Sequence, residues 1–156
     1  MARNYYVQFK NIAVSAVQDL ISLKGSTGKT CRVLRFFVGA TDTTIQTAQG
    51  LQLNVKYSSA TLTLGSGGAA GVINPTDPGD AAASFTSRTN DTTQATTSGI
   101  FTNLPAVGVH NYGGWDFAFK NPPVFGLNEG IILELLSTVT GTCHFSGFAE
   151  VEETGS

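Results

Sequence analysis

Apolar and polar residues alternate one by one along much of this chain, and that pattern admits only one class of fold. With the backbone extended, Tyr5, Val7 and Phe9 point to one side and Tyr6, Gln8 and Lys10 to the other. The same period returns in Leu51, Leu53, Val55 and Tyr57 against Gln52, Asn54 and Lys56. It recurs in Ala60, Leu62 and Leu64 against Thr61 and Thr63, and in Trp115, Phe117 and Phe119 against Asp116, Ala118 and Lys120. A period of two belongs to strands, so these segments predict half-buried antiparallel strands with their apolar side turned to a core.

Residues 30–38, 130–137 and 142–152 are apolar on both faces, as in strands that are sandwiched or buried at a subunit contact. Val14, Val17, Gln18 and Ile21 also fit helical spacing across 11–24, but two strands with a turn near Gln18 and Asp19 are the preferred reading. The stretch 66–103 is a low-complexity run of Gly, Ala, Thr, Ser and Asn with turn signals at Asn74-Pro75 and Asp77-Pro78-Gly79. It is too long for an empty loop, so weak strands are expected near 83–88 and 99–104, with the greatest mobility around 65–80. About nine or ten short strands divided by turns predict an all-β, antiparallel β-sandwich of the jelly-roll type. At 156 residues the chain is one domain, 1–156, with a flexible Gly/Ser/Thr-rich loop region around 65–103.

Only 13% of the residues are charged, about half of what a soluble domain ordinarily carries. A neutral surface is cheap to desolvate, so extensive contacts with copies or partners are expected. The net charge of −2 lacks the basic footprint of phosphate neutralisation, which argues against nucleic acid. The few charges are uneven, about +5 through Tyr57 and about −7 after it. Either the N- and C-terminal strands pair so that their charges meet across one sheet, or neighbouring copies are complementary. The first residues lack a signal-peptide h-region and no apolar run approaches transmembrane length, so no membrane is expected and synthesis in a cytoplasm is. Cys31 and Cys143 then read as two buried thiols.

No pattern of chemistry-bearing residues stands out. His110 and His144 lie in no nucleophile motif, and Cys143 and His144 are neighbours on a predicted strand and face opposite ways, which argues against a shared metal. Asp77, Asp80 and Asp91 lack the EF-hand loop pattern, and Gly65-Ser66-Gly67-Gly68 lacks the Lys-Ser/Thr pair of a phosphate loop. No catalytic residue, metal or cofactor is expected, and the chain reads as a structural or adhesive protein rather than an enzyme. Tyr112 and Trp115, beside Gly113-Gly114, are the candidate ligand-facing aromatics, because flat rings cover the apolar face of a sugar.

Three segments carry a family resemblance: the run from Tyr5 to Ala16, Gly113-Gly114-Trp115-Asp116-Phe117, and Gly147-Phe148-Ala149-Glu150-Val151-Glu152-Glu153-Thr154-Gly155. Together they resemble the small jelly-roll capsid decoration, or cement, proteins of tailed bacteriophages. The resemblance implies a virion structural protein that binds the outer capsid surface through the major capsid protein, often as a trimer, and stabilises the head. Charge suggests Arg3, Lys10, Lys24 and Lys29 for capsid docking, since a neighbouring acidic surface would attract them. The alternative is a glycan- or receptor-binding β-sandwich module of a virion or cell surface.

Overall fold

The structure is a computed structural model describing residues 1–44, 46–104 and 106–155. Among these residues there is no helix, and none therefore that could cross a membrane. The strands are β1 (Ala2–Val14), β2 (Gln18–Lys24), β3 (Lys29–Ala40), β4 (Gly50–Ser58), β5 (Leu62–Thr63), β6 (Ala69–Ala70), β7 (Val72–Pro75), β8 (Thr86–Asp91), β9 (Thr96–Thr97), β10 (Thr102–Asn103), β11 (Val107–His110), β12 (Gly114–Ala118), β13 (Val124–Phe125), β14 (Gly130–Leu135) and β15 (Cys143–Gly155). They form an antiparallel sandwich, as the alternation predicts. The front sheet runs β12-β3-β15-β1-β7, with β13 also on β3, and the back sheet runs β10-β4-β14-β2-β8-β6, with β11 also on β4.

The core lies between the sheets. Tyr5, Val7, Val33, Phe36, Ala149 and Val151 of the front sheet meet Ile21, Leu23, Leu53, Ile131, Leu133 and Leu135 of the back sheet, all at most 2% exposed. Burying each such side chain contributes on the order of 1.5–3 kcal/mol, so these strands hold the fold. The predicted inward sides of β1 and β4 are the observed ones.

The segment 59–103 departs most from expectation. Its first residues, 60–64, were expected as a strand and supply β5; the rest, read as a loop with weak strands near 83–88 and 99–104, builds β6 to β10, and the whole encloses the sandwich on two sides. β7 extends the front sheet beyond β1 and β8 extends the back sheet beyond β2, and Phe85 closes the side between them against Tyr5, ring centroids 5.8 Å apart. The β5–β9 ribbon covers the outer face of the back sheet, where Leu62, Ala95 and Ile132 make a second small core. Gly130 permits this contact: a Cβ there would stand 2.4 Å from a methyl of Leu62 and 2.2 Å from the Leu23 carbonyl oxygen. The roof also explains why β2 and β14 are buried on both faces. For 130–135 the covering comes from the chain itself, where a subunit contact was the other expectation.

The turn expected at Gln18 and Asp19 falls just earlier, at 15–17, and β2 starts at Gln18. Helical spacing over 11–24 was imitated by irregular pairing, with register shifts in β1 between Phe9 and Ile12 and in β2 at Leu20, opposite Leu133 and Glu134 of β14. Each such bulge breaks the strict period of two.

Candidate binding surfaces

Beneath the roof lies a group of buried charges. Lys56 of β4 bonds Glu134 of β14 and stands 3.9 Å from Asp19 of β2, with its ammonium 4.7 Å from the centre of the Phe101 ring. Asn54 donates to Glu134 at 2.7 Å, and Gln94 reaches both carboxylates, at 3.0 Å to Glu134 and 3.3 Å to Asp19. Asp19, wholly buried, accepts from the Ala95 N–H, and burial raises its pKa above the usual carboxylate range. Every polar partner here is internal, so these groups fasten the roof to the sheet.

The outer face of the front sheet has no such cover. Phe37, Phe148 and Tyr6 form a half-buried row of rings on β3, β15 and β1. Phe37 and Phe148 stack with centroids 5.5 Å apart, and Tyr6 meets Phe148 edge-on at 5.5 Å. Arg35 lies over Phe148 and binds Asp116 through two hydrogen bonds of 2.6 and 2.5 Å, which hold that carboxyl below its usual range. Arg32 pairs with Glu152 at 2.6 Å and Arg3 with Asp80 at 3.3 Å. Cations from the N-terminal part therefore meet acids from the rest within one chain, and two of these pairs, Arg35 with Asp116 and Arg32 with Glu152, lie on this face. The sequence signal for the face was the doublets Tyr5-Tyr6 and Phe36-Phe37, since only one residue of each pair can face a core.

A second apolar surface opens at the side of the sandwich opposite Phe85. Trp115, Phe117 and Phe119 on and after β12 face Val55, Leu104 and Val107 across a cleft of about 320 Å³. Trp115 and Phe117 are parallel within 3°, and Phe119 meets Phe117 edge-on. The alternation assigned these rings to the core; they do turn inward, but the back sheet stops short and leaves Phe117 41% exposed.

The residues suggested for docking do not share one patch. Arg3, Lys24 and Lys29 lie at the end where β2 turns into β3, since Arg3 is in register with Glu153 and Lys29 with Gly155. Lys10 sits seven residues farther along β1, about 23 Å away at strand rise. Arg3 is already paired with Asp80. The candidate aromatics also separate: Trp115 turns into the cleft, while Tyr112 stacks outside on His110, centroids 5.5 Å apart.

The remaining chemistry-bearing residues are structural in their surroundings. Cys31 and Cys143 are buried free thiols. Cys31 is in register with Glu153, ten residues along β15 from Cys143, which separates them by about 33 Å and precludes a bond. Burial, then the charge of Glu153, pushes the Cys31 thiol up to about 12. His144 turns away from Cys143 and bonds Asp42 through Nδ1 at 2.7 Å. Among the described residues, no three His, Cys, Asp or Glu side chains gather as a metal site. No family model, curated protein or solved structure matches the chain.

Proposed function

We propose that this chain is a virion structural protein, a capsid decoration protein that docks on the outer surface of an assembled head and stabilises it without catalytic turnover. The observation that carries the reading is the asymmetry of the sandwich. One outer face is roofed by the chain itself, and the other is left bare with aromatic rings at its centre and mutually neutralised ion pairs around them. Rings at the centre with polar groups at the rim is the usual anatomy of a protein interface. The order β12-β3-β15-β1 facing β11-β4-β14-β2 supports the jelly-roll reading, with 59–106 as an insertion between β4 and β11.

On this reading the partner is a major capsid protein, the location is the capsid surface, and docking rests on Phe37, Phe148 and Tyr6 rather than on Arg3, Lys10, Lys24 and Lys29. A homotrimer anchored on the lattice would gain from multivalency, so modest single contacts suffice. The test is addition of purified protein to shells assembled without it. Binding saturates at a fixed ratio to the capsid protein and raises survival of heat or osmotic shock, because a ligand of the intact particle stabilises it. Phe148→Asp abolishes both effects while leaving the fold intact. Equal survival of bare and saturated shells would remove the reading and favour the glycan- or receptor-binding alternative.

A further inference from the structure

The side of the sandwich that bears the cleft is also an open sheet edge, and the two features address the same occupant. β12 is the last strand of the front sheet, paired only with β3. Ala40 donates to the Gly113 carbonyl and Phe119 to that of Leu34, which fixes the alternation between them. Residues 115 and 117 turn their peptide groups to β3, and Gly114, Asp116 and Ala118 turn theirs outward. Farther along, the same edge is blunted where Pro122 and Pro123 interrupt the chain between β12 and β13. Along this edge, among the described residues, the unblocked ladder is that of Gly114, Asp116 and Ala118 in β12.

Beside this ladder lies the cleft lined by Trp115, Phe117, Phe119, Leu104 and Val107, with no charged side chain in its lining. A strand added to β12 would send every second side chain into it. Lys120, exposed and without an ion pair among the described residues, stands just past the end of the ladder.

We propose that β12 and its cleft form a peptide-binding site that takes up an extended segment of a partner protein by strand addition. The segment is apolar at alternate positions and carries an acidic residue at the end beside Lys120. Outward N–H and C=O groups supply the backbone bonds and the cleft reads alternate side chains, as in other sites of this mode. The uncharged lining rejects a charged residue at those positions, and Lys120 complements the acid. The site adjoins the Phe37–Phe148 face at Asp116, which is in register with Phe37, but its cleft opens on the other side of β12 and the proposal does not depend on the capsid reading.

The chain's one tryptophan, Trp115, lies in the cleft and reports on it directly. The probe is a capped seven-residue peptide, Glu-Val-Thr-Leu-Thr-Val-Thr, titrated against the full chain. The expected result is a saturable change in Trp115 fluorescence together with amide shifts at Gly114, Asp116 and Ala118. Ala118→Pro deletes one outward N–H and leaves the bonds to β3 in place, so it weakens binding by about tenfold with an unchanged circular dichroism spectrum. A peptide N-methylated at the positions facing β12 keeps its side chains and loses binding, which tests the ladder without altering the protein. Equal binding of the methylated peptide, or no binding at millimolar concentration, overturns the proposal. So does a fluorescence change reproduced by a small apolar molecule while the peptide leaves the β12 amides unmoved.

Discussion

Asp19 accepts a hydrogen bond of 2.6 Å from the backbone N–H of Ala95, so a strand of the back sheet is tied directly to the segment that covers it. Because burial raises the Asp19 pKa above its ordinary 3.8, the native chain keeps this proton at pH values where the unfolded chain has lost it. That contribution to stability grows as pH falls through the raised value toward 3.8, and fades as pH rises again. Asp19→Asn lacks the titration. Urea unfolding between about pH 7 and 4 is expected to show the wild-type advantage over Asp19→Asn widening as pH drops. A constant gap would contradict the burial-driven shift.

Leu62→Ala empties the centre of the second core and is expected to cost about 2–5 kcal/mol if the roof unfolds with the rest. Gly130→Ala forces a Cβ against the Leu23 carbonyl oxygen at 2.2 Å, and is expected to cost about 1–3 kcal/mol. Limited proteolysis separates local from global loss, since both variants are expected to be cut first within 59–103. Cleavage that instead begins in β1 or β15 would show that the roof is not the part these residues hold.

Phe85 seals the side of the sandwich between β7 and β8, so Phe85→Ala is expected to destabilise the chain by about 3–5 kcal/mol. Tyr5→Phe removes only the hydroxyl that donates to the Ala81 carbonyl at 3.0 Å, and about 0.5–1.5 kcal/mol is expected. Thermal unfolding of both variants gives the comparison. An equal loss in the two would mean that the hydroxyl, not ring packing, anchors this edge.

Both thiols are predicted to resist alkylation at pH 8 in the native state and to react fully in denaturant. Cys31 is buried with its thiol pushed up to about 12, so almost no thiolate is present to react. Intact mass after incubation with iodoacetamide gives the count. Rapid native labelling of Cys31 would refute its burial.

The sandwich was legible because β1 and β4 alternate cleanly and their inward residues are large. The meeting of N- and C-terminal charges was legible as well, and Arg32 with Glu152 realises it. The roof was not. Alternation marked Leu62 as the inward residue of a strand but not what it would cover, while Phe85 and Ala95 are single apolar residues in a polar background with no period to mark them. Lys56 read as the polar side of a half-buried strand and Asp19 as part of a turn, and only a covering segment far away in sequence makes them internal. The bare face was half legible, since doublets such as Phe36-Phe37 promise one outward ring without saying which strands gather them. The cleft was hidden for another reason: β12 alternates like a core strand, and nothing in it discloses that the opposite sheet ends early.

Thr102 pairs directly with Tyr57, so after leaving β4 the chain comes back to its point of departure before entering β11. For the framework strands the whole excursion is an elongated hairpin. Closing a loop twice as long costs only about 0.6 kcal/mol more, so the covering segment can change in length while the framework strands keep their registers, provided that it still covers Ile132 and partners Asp19 and Glu134. A fold wired this way can change the character of its back while the surface it offers at its front stays the same.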